Sequence, residues 1–148
     1  MSTPNAESGV MMKKLLITID GPAGAGKTSV SRALAQQLRY RYIDTGALYR
    51  GVAYEVKRQG IDPQSETDLT ALCGRLQLAV KQKGDALRLY SGSTDISDHI
   101  RTPEISMLAS AVSAKPVVRE YLLTVQKDIG RRKAAVFEGR DMGTVVFQ

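Results

Sequence analysis

The chain alternates short apolar runs with longer segments in which apolar residues recur every three or four positions. Continuous β-prone runs at 15–19, 40–44 and 134–138 predict three strands. Helical spacing follows the first run and predicts a helix whose apolar face carries Val30, Ala33, Leu34 and Leu38. Repeated strand-then-helix units predict an α/β domain with a parallel sheet.

The middle of the chain changes character. Leu48, Val52 and Val56 predict a helix that ends near Gly60, and a shorter helix is predicted over 66–77. Two β-prone runs at 78–82 and 86–90 then flank a glycine-containing turn, which predicts an antiparallel hairpin inserted into the α/β pattern. Helical spacing returns from Pro103, breaks at 115–116, and continues to residue 129.

The segment between the first strand and the first helix matches the pattern G-x-x-x-x-G-K-[ST]. Small residues let consecutive backbone N–H groups turn toward a phosphate, Lys27 can reach the β- and γ-phosphates, and Thr28 offers a hydroxyl to Mg²⁺. The following helix N-terminus also favours an anion. Binding of a nucleoside triphosphate is therefore predicted at Gly21, Pro22, Ala23, Gly24, Ala25, Gly26, Lys27, Thr28 and Ser29.

Composition narrows the class of protein. With 148 residues, 43% hydrophobic and 24% charged, the chain fits one globular domain, and no apolar run is long enough to cross a membrane. A net charge of +6 suits polyanionic ligands, whereas 5% aromatic residues and no tryptophan disfavour base-stacking on nucleic acid. The single Cys73 indicates a reducing, cytoplasmic setting and is expected to be a small buried residue rather than a reactive thiol. Residues 1–12 are expected to be a disordered leader before a domain over 13–148.

Polar clusters follow each of the three predicted parallel strands: the phosphate-binding loop, residues 44–46 and residues 139–141. The carboxyl edge of an open parallel sheet is where ligands bind. Transfer of a phosphoryl group needs cations that hold the acceptor in line, and Arg50, Arg119 and Arg140 are candidates. The alternatives are solvated helix faces for Arg50 and Arg119, and a structural turn that pairs Arg140 with Asp141.

Two acidic residues and one histidine complete the candidates. Asp44 either holds a Mg²⁺-bound water or caps the helix that follows it. Asp141 lies beside an arginine at the predicted strand end, where the pair could read a base edge. His99 is the only histidine, which excludes a multi-histidine metal site, and we expect it at the surface.

Five segments together resemble the bacterial cytidylate (CMP/dCMP) kinases: ITIDGPAGAGKTS, YIDTGALYR, DISDHIRTPEIS, ASAVSAKPVVRE and FEGRDMGTVVF. The resemblance implies a P-loop nucleoside monophosphate kinase fold, with helices on both faces of the parallel sheet and a nucleotide-binding insertion at about 72–112. It also implies ATP as co-substrate, Mg²⁺ as metal and CMP or dCMP as acceptor. From composition and the lack of a long apolar run, we expect no nucleic acid and no membrane as partners, and no obligate protein partner is evident.

The resemblance also implies roles for individual residues. Arg50 and Arg140 resemble ligands of the CMP phosphate and join Lys27 as catalytic residues, while Ser110 and Asp141 resemble contacts to the base. Thr28 is the implied Mg²⁺ ligand. The implied substrate site comprises Asp44, Thr45, Arg50, Ser110, Arg119, Arg140 and Asp141.

Two departures from the family pattern qualify these expectations. The loop ends Lys27-Thr28-Ser29 where Lys-Ser-Thr is commoner, a swap that keeps a hydroxyl at the metal position. Family members also continue into further strands and an arginine-bearing lid, so the chain is expected to be about two thirds of the family's length, without those parts. A non-catalytic, nucleotide-binding fragment is therefore the alternative function. No guanine-reading N-K-x-D stretch supports a switch-type GTPase, and only net charge favours a nucleic-acid binder.

Overall fold

A computed structural model describes residues 14–21, 26–84 and 86–139. The predicted leader at 1–12 lies outside these ranges. The described chain forms six strands, five α-helices and a short 3₁₀ turn at Ser97–His99. In order they are β1 Leu16–Asp20, α1 Lys27–Leu38, β2 Arg41–Asp44, α2 Thr45–Arg58, α3 Glu66–Arg75, β3 Leu78–Lys83, β4 Ala86–Ser91, β5 Thr94–Asp95, α4 Pro103–Ser113, α5 Pro116–Gly130 and β6 Ala135–Gly139.

The three predicted parallel strands form one sheet in the order β1-β6-β2. Val136 on β6 is the register partner of Ile17 on β1 and of Tyr42 on β2. Phe137 faces a cluster that includes Leu123 of α5, whereas α1 packs on the opposite face, next to Glu138. The α/β prediction with helices on both faces is therefore confirmed, and β6 is buried because both of its faces are covered.

The predicted apolar face of α1 is wrong. Val30 is 59% exposed and Leu38 is 40% exposed, while the buried residues of the helix are Ser31 and Ala35. These two residues are four positions apart and small, so they allow the helix to lie close against the sheet. Closeness of approach, rather than side-chain hydrophobicity, therefore decides which face of α1 is buried.

Helix α2 carries the centre of the core, and its predicted apolar positions Leu48, Val52 and Val56 are each at most 1% exposed. The helix ends at Arg58, and Gly60 follows in the left-handed conformation that glycine tolerates. Later helices begin at prolines, as predicted, with Pro103 and Pro116 in their first turns. Helix α3 ends at residue 75, two residues before the predicted boundary.

The predicted hairpin is present and gains a third strand. Strands β3 and β4 pair antiparallel, with Val80 opposite Leu89, and the two-residue β5 extends the sheet. This sheet lies against α2 at Gly51, where an added Cβ would lie 3.0 Å from Leu89 Cδ2 and 3.3 Å from both δ-carbons of Leu78. In the described ranges, no helix is long and apolar enough to cross a membrane.

Gly51 and Gly74 provide a matched test of this packing. Both are helical glycines, but an added Cβ on Gly74 meets nothing within 4 Å. Overfilling a packed contact costs about 1–3 kcal/mol, partly offset by the gain of up to about 1 kcal/mol in helix propensity. We expect Gly51→Ala to lower the free energy of unfolding by about 1 kcal/mol, and Gly74→Ala to raise it by about 0.5–1 kcal/mol. Chemical denaturation measures both, and equal effects of the two variants would contradict the proposed close approach.

Candidate active site

The parallel strands end at one edge of the sheet, where the candidate residues collect. Asp20 is in register with Gly139, and Glu138 with Asp44. Helix α1 begins at Lys27 just beyond this edge. Residues 22–25 of the predicted phosphate-binding loop lie outside the described residues, but both ends of the loop are described.

Glycine is needed at the end of the loop. Gly26 has φ 76° and ψ 9°, a left-handed conformation, and forms the N-cap of α1. The Lys27 side chain runs back past the start of the loop, because its Cδ lies 3.7 Å from where a Cβ on Gly21 would be. The Lys27 side chain therefore lies near the end of β1, where the predicted phosphates would bind.

A buried carboxylate lies next to the predicted metal ligand. Thr28 Oγ1 donates to Glu138 Oε2 at 2.7 Å, and Tyr42 Oη donates to Glu138 Oε1 at 2.6 Å. Glu138 is only 8% exposed. In P-loop enzymes Mg²⁺ is held by the loop hydroxyl and a carboxylate from a neighbouring strand, so the residues present fit this metal.

Sequence reasoning missed Glu138 as a site residue. Its signal was an acidic side chain at the end of an otherwise apolar strand, AAVFE. Buried carboxylates are rare without partners, so an acid in such a run calls for hydrogen-bond donors nearby. The strand prediction treated the whole run as buried and did not include hydrogen-bond donors for the glutamate carboxylate.

Tyr42 is held in its protonated, donating form. Burial raises the pKa of its phenol, and the hydrogen bond to Glu138 and the negative charges of Asp44 and Glu138 raise it further. The guanidinium of Arg32 lies 4.8 Å from the centre of the Tyr42 ring and opposes this rise. At neutral pH the phenol therefore remains a donor to Glu138.

Asp44 and Arg50 form a pair at the start of α2. Asp44 Oδ1 accepts from the Gly46 backbone N–H at 2.9 Å, which caps the helix, and Asp44 Oδ2 accepts from Arg50 Nη2 at 3.2 Å. The Arg50 side chain is 19% exposed and does not lie on a solvated helix face. Its Nε is buried and has no hydrogen-bond partner in the described part of the chain, which leaves one donor for an acceptor such as a phosphate oxygen.

Thr45 joins two elements of the site. Its buried hydroxyl donates to the Glu138 carbonyl oxygen at 2.9 Å, which ties the first residue of α2 to β6. The backbone and the side chain of Glu138 are therefore both fixed by donors from neighbouring elements. The predicted contact of Thr45 with substrate remains a prediction.

Ser110 and Arg119 lie on the two helices α4 and α5, and the Ser110 side chain is exposed. Lys57 Nζ and Glu104 Oε1 are 2.6 Å apart and join the end of α2 to the start of α4. Arg119 contacts Tyr49 on α2, where burial raises the pKa of Tyr49 and the charge of Arg119 counteracts that rise. Arg140 and Asp141 lie outside the described residues, directly after the end of β6.

The remaining candidates lie away from this edge. His99 is exposed, with its ring 6.2 Å from that of Tyr54. Cys73 is half-buried against the core, and burial raises the pKa of its thiol, which favours the unreactive protonated form. No cluster of three or more His, Cys, Asp or Glu side chains able to hold a metal occurs among the described residues.

Together, the parallel sheet, the phosphate-loop sequence motif before α1 and the hydroxyl–carboxylate pair indicate a P-loop α/β domain of the kinase type. A family model described as cytidylate kinase matches residues 17–148, and the chain belongs to this family. It is 48% identical over 137 residues to a cytidylate kinase of Syntrophotalea carbinolica, covering 93% of this chain and 58% of that protein. It is 45% identical over 133 residues to a cytidylate kinase of Geobacter sulfurreducens, covering 90% and 57%.

A third relative is a bifunctional pantoate ligase/cytidylate kinase of Synechococcus elongatus, 42% identical over 140 residues that cover 91% of this chain and 27% of that protein. The chain spans 58% of the length of the first relative and 57% of the second. The predicted resemblance to cytidylate kinases is confirmed at the level of the family.

The Tyr42–Glu138 hydrogen bond leads to a stability prediction. Removing the donor with Tyr42→Phe should lower the free energy of unfolding by about 1–2 kcal/mol at pH 8, because the buried carboxylate loses a partner. The folded-state pKa of Tyr42 is raised, so wild-type stability contributed by this group is present below pH ~10 and is lost as pH rises further. The difference between wild type and variant should therefore narrow above pH ~10.

Chemical denaturation at pH 8 and pH ~10.5 measures this difference. Tyr90→Phe is the matched control, since its half-buried ring lies under Lys81 Nζ at 4.8 Å and no hydrogen bond of its hydroxyl is seen in the described residues. We expect the control to stay within about 0.5 kcal/mol of wild type. A Tyr42→Phe protein as stable as the control would show that the hydrogen bond to Glu138 contributes nothing.

Proposed function

We propose that the protein carrying this chain transfers the γ-phosphoryl group of ATP to CMP or dCMP, giving ADP and CDP or dCDP. The observation that carries the proposal is the convergence of Thr28 and Glu138 at the sheet edge, beside the Asp44–Arg50 pair. Membership of the cytidylate kinase family supports it. We also propose a cytoplasmic location, with small-molecule nucleotides as the partners and without an obligate protein partner.

The donor side is proposed to consist of the loop and the start of α1. Residues 21–29 bind the ATP phosphates, and Lys27 neutralises charge on the β- and γ-phosphates. Thr28 and Glu138 are the residues that would hold Mg²⁺. When bound, Mg²⁺ screens the negative charge that opposes attack on the γ-phosphoryl group.

The acceptor side is proposed to lie over the first turns of α2. Arg50 offers its free Nε–H to the acceptor phosphate, while its pairing with Asp44 sets the plane of the guanidinium. Arg140 is the second phosphate ligand. The base is read by Ser110 and Asp141, where a carboxylate can accept from the exocyclic amine of cytosine, and Arg119 lines the same site.

Phosphoryl transfer depends mostly on positioning and charge neutralisation, and the two sides are adjacent in this site. Thr45 binds the Glu138 carbonyl and Asp44 binds Arg50, so consecutive residues hold one group from each side. We propose that these contacts keep a constant distance between the donor phosphate near Lys27 and the acceptor phosphate near Arg50. Binding of the substrates would then exclude water from the site and align the reacting groups.

The second candidate is a nucleotide-binding protein that does not transfer phosphate. The two functions differ in one measurable respect. Both predict binding of ATP, but only the kinase predicts release of ADP that depends on CMP.

The decisive experiment measures ADP release from ATP and Mg²⁺ with CMP, dCMP or UMP, together with ATP binding by calorimetry. We expect turnover with CMP or dCMP, and Lys27→Ala should lower kcat by about 10³-fold or more while leaving the fold intact. The loss should appear in kcat more than in the KM for CMP. ATP binding without CMP-dependent ADP release would establish the second candidate, and Lys27→Ala turnover within tenfold of wild type would contradict the proposed role of Lys27.

Glu138→Gln tests the proposed metal site. The amide keeps the size of the side chain but removes the charge that attracts Mg²⁺, so the Mg²⁺ concentration for half-maximal turnover should rise at least about tenfold. The control is Glu66→Gln, an exposed glutamate in the first turn of α3, which should leave the Mg²⁺ requirement unchanged. An unaltered Mg²⁺ requirement in a folded Glu138→Gln protein would assign Glu138 to structure alone.

A further inference from the structure

A large cavity lies beside the outer edge of β2 and shares one residue, Asp44, with the proposed substrate site. Its volume is ≈ 930 Å³, and its walls come from α1 and β2 on one side and from β4 and residues 97–101 on the other. Lys27, Thr28, Arg50 and Glu138 do not line it. Asp44 marks the end that lies closest to the candidate active site.

The charge of the cavity walls is unbalanced. Five arginines line it, of which Arg88 is paired with Asp95 and with Asp98, at 2.8 and 2.9 Å. Asp44 in the wall is paired with Arg50. In the described part of the chain, no carboxylate lies within ion-pair distance of the other four: Arg32, Arg39, Arg41 and Arg101.

The Arg41 side chain is partly buried and has no carboxylate partner among the described residues. Its Nη2 donates to the carbonyl oxygens of Ile129 and Lys133, at 3.1 and 2.9 Å. Burial lowers the pKa of Arg41, and the nearby charge of Arg132 lowers it further. These carbonyl oxygens satisfy N–H groups of Arg41 without neutralising its charge.

Arg39 occupies a backbone position that glycine fits better. It is the C-cap residue of α1, with φ 58° and ψ 39°, in the left-handed region. An L-residue there is conformationally disfavoured, and strained residues cluster where they serve a function. In this case the consequence of the arginine is a fourth cavity-wall arginine without a carboxylate partner among the described residues.

We propose that this cavity binds a small molecule that carries phosphate groups. Its volume lies in the range of ligand pockets, about 300–1,000 Å³. Guanidinium groups match phosphate oxygens in two-point hydrogen bonds, and Gln36 and Gln82 add neutral donors to the wall. Val80, Leu87 and Leu89 form an apolar side against which the remainder of such a ligand can pack.

The test uses tripolyphosphate as the probe and calorimetry as the readout, on a Lys27→Ala background that weakens binding at the proposed ATP site. Two cavity variants are compared: Arg39→Gly, which relieves the left-handed strain and so should fold, and Arg101→Gln. Arg75→Gln on α3 is the matched control, because this exposed arginine does not line the cavity.

We expect the Lys27→Ala protein to bind tripolyphosphate, with an affinity at least about tenfold weaker in each cavity variant and unchanged in the control. Loss of binding in the Lys27→Ala protein itself would overturn the proposal, as would equal affinity in all variants. Displacement of tripolyphosphate by a short single-stranded oligonucleotide, but not by a free nucleotide, would also overturn it, since the cavity would then serve nucleic acid. None of these results depends on phosphoryl transfer, so the proposed kinase activity can fail independently.

Discussion

The structure depends on the satisfaction of one buried negative charge. Glu138 lies at the end of the central strand, where its side chain is almost wholly removed from water. Such a charge is strongly destabilising unless donors surround it. Thr28 from α1 and Tyr42 from β2 supply those donors, and Thr45 from α2 binds its carbonyl oxygen. Three elements that are distant in sequence are thus positioned by the requirements of one residue.

Helix α2 extends this arrangement into the core and toward the second sheet. One side carries fully buried residues such as Val52, and Gly51 lets the antiparallel sheet approach closely. Its first turns carry the candidate substrate residues instead, because the helix starts at the sheet edge with Asp44 as its cap. The packing of α2 in the core therefore also fixes the position of the candidate substrate residues on its first turns.

Much of this was predictable from local pattern. Strand runs and proline starts depend on interactions within a few residues of one another, so the sequence predicts them without knowledge of the fold. The burial of α1 through Ser31 and Ala35 was not predictable in this way, because it reflects the distance between a helix and a sheet. Strand β5 is two residues long, too short for any periodic signal.

The pairing of Glu138 with Thr28 spans 110 positions along the chain, so no local pattern reveals it. The carboxylate was visible in the sequence, and so was the hydroxyl, but their proximity follows from β6 lying between β1 and β2. A buried acid at the end of an apolar strand is nevertheless a general signal. It indicates that donors must converge there, and in a parallel sheet they can converge only at the carboxyl edge, where ligands also bind.

Asp44, the last residue of β2, and Thr45, the first residue of α2, couple the two halves of the candidate site. Thr45 fixes the backbone of Glu138, while Asp44 fixes Arg50 and caps the helix through the Gly46 N–H. A shift of α2 along its axis would therefore move the proposed acceptor ligand and disturb the proposed metal ligand together. In-line transfer tolerates only displacements well below about 1 Å. The rigidity of this short segment therefore matters more to the chemistry than the strength of any one of its hydrogen bonds.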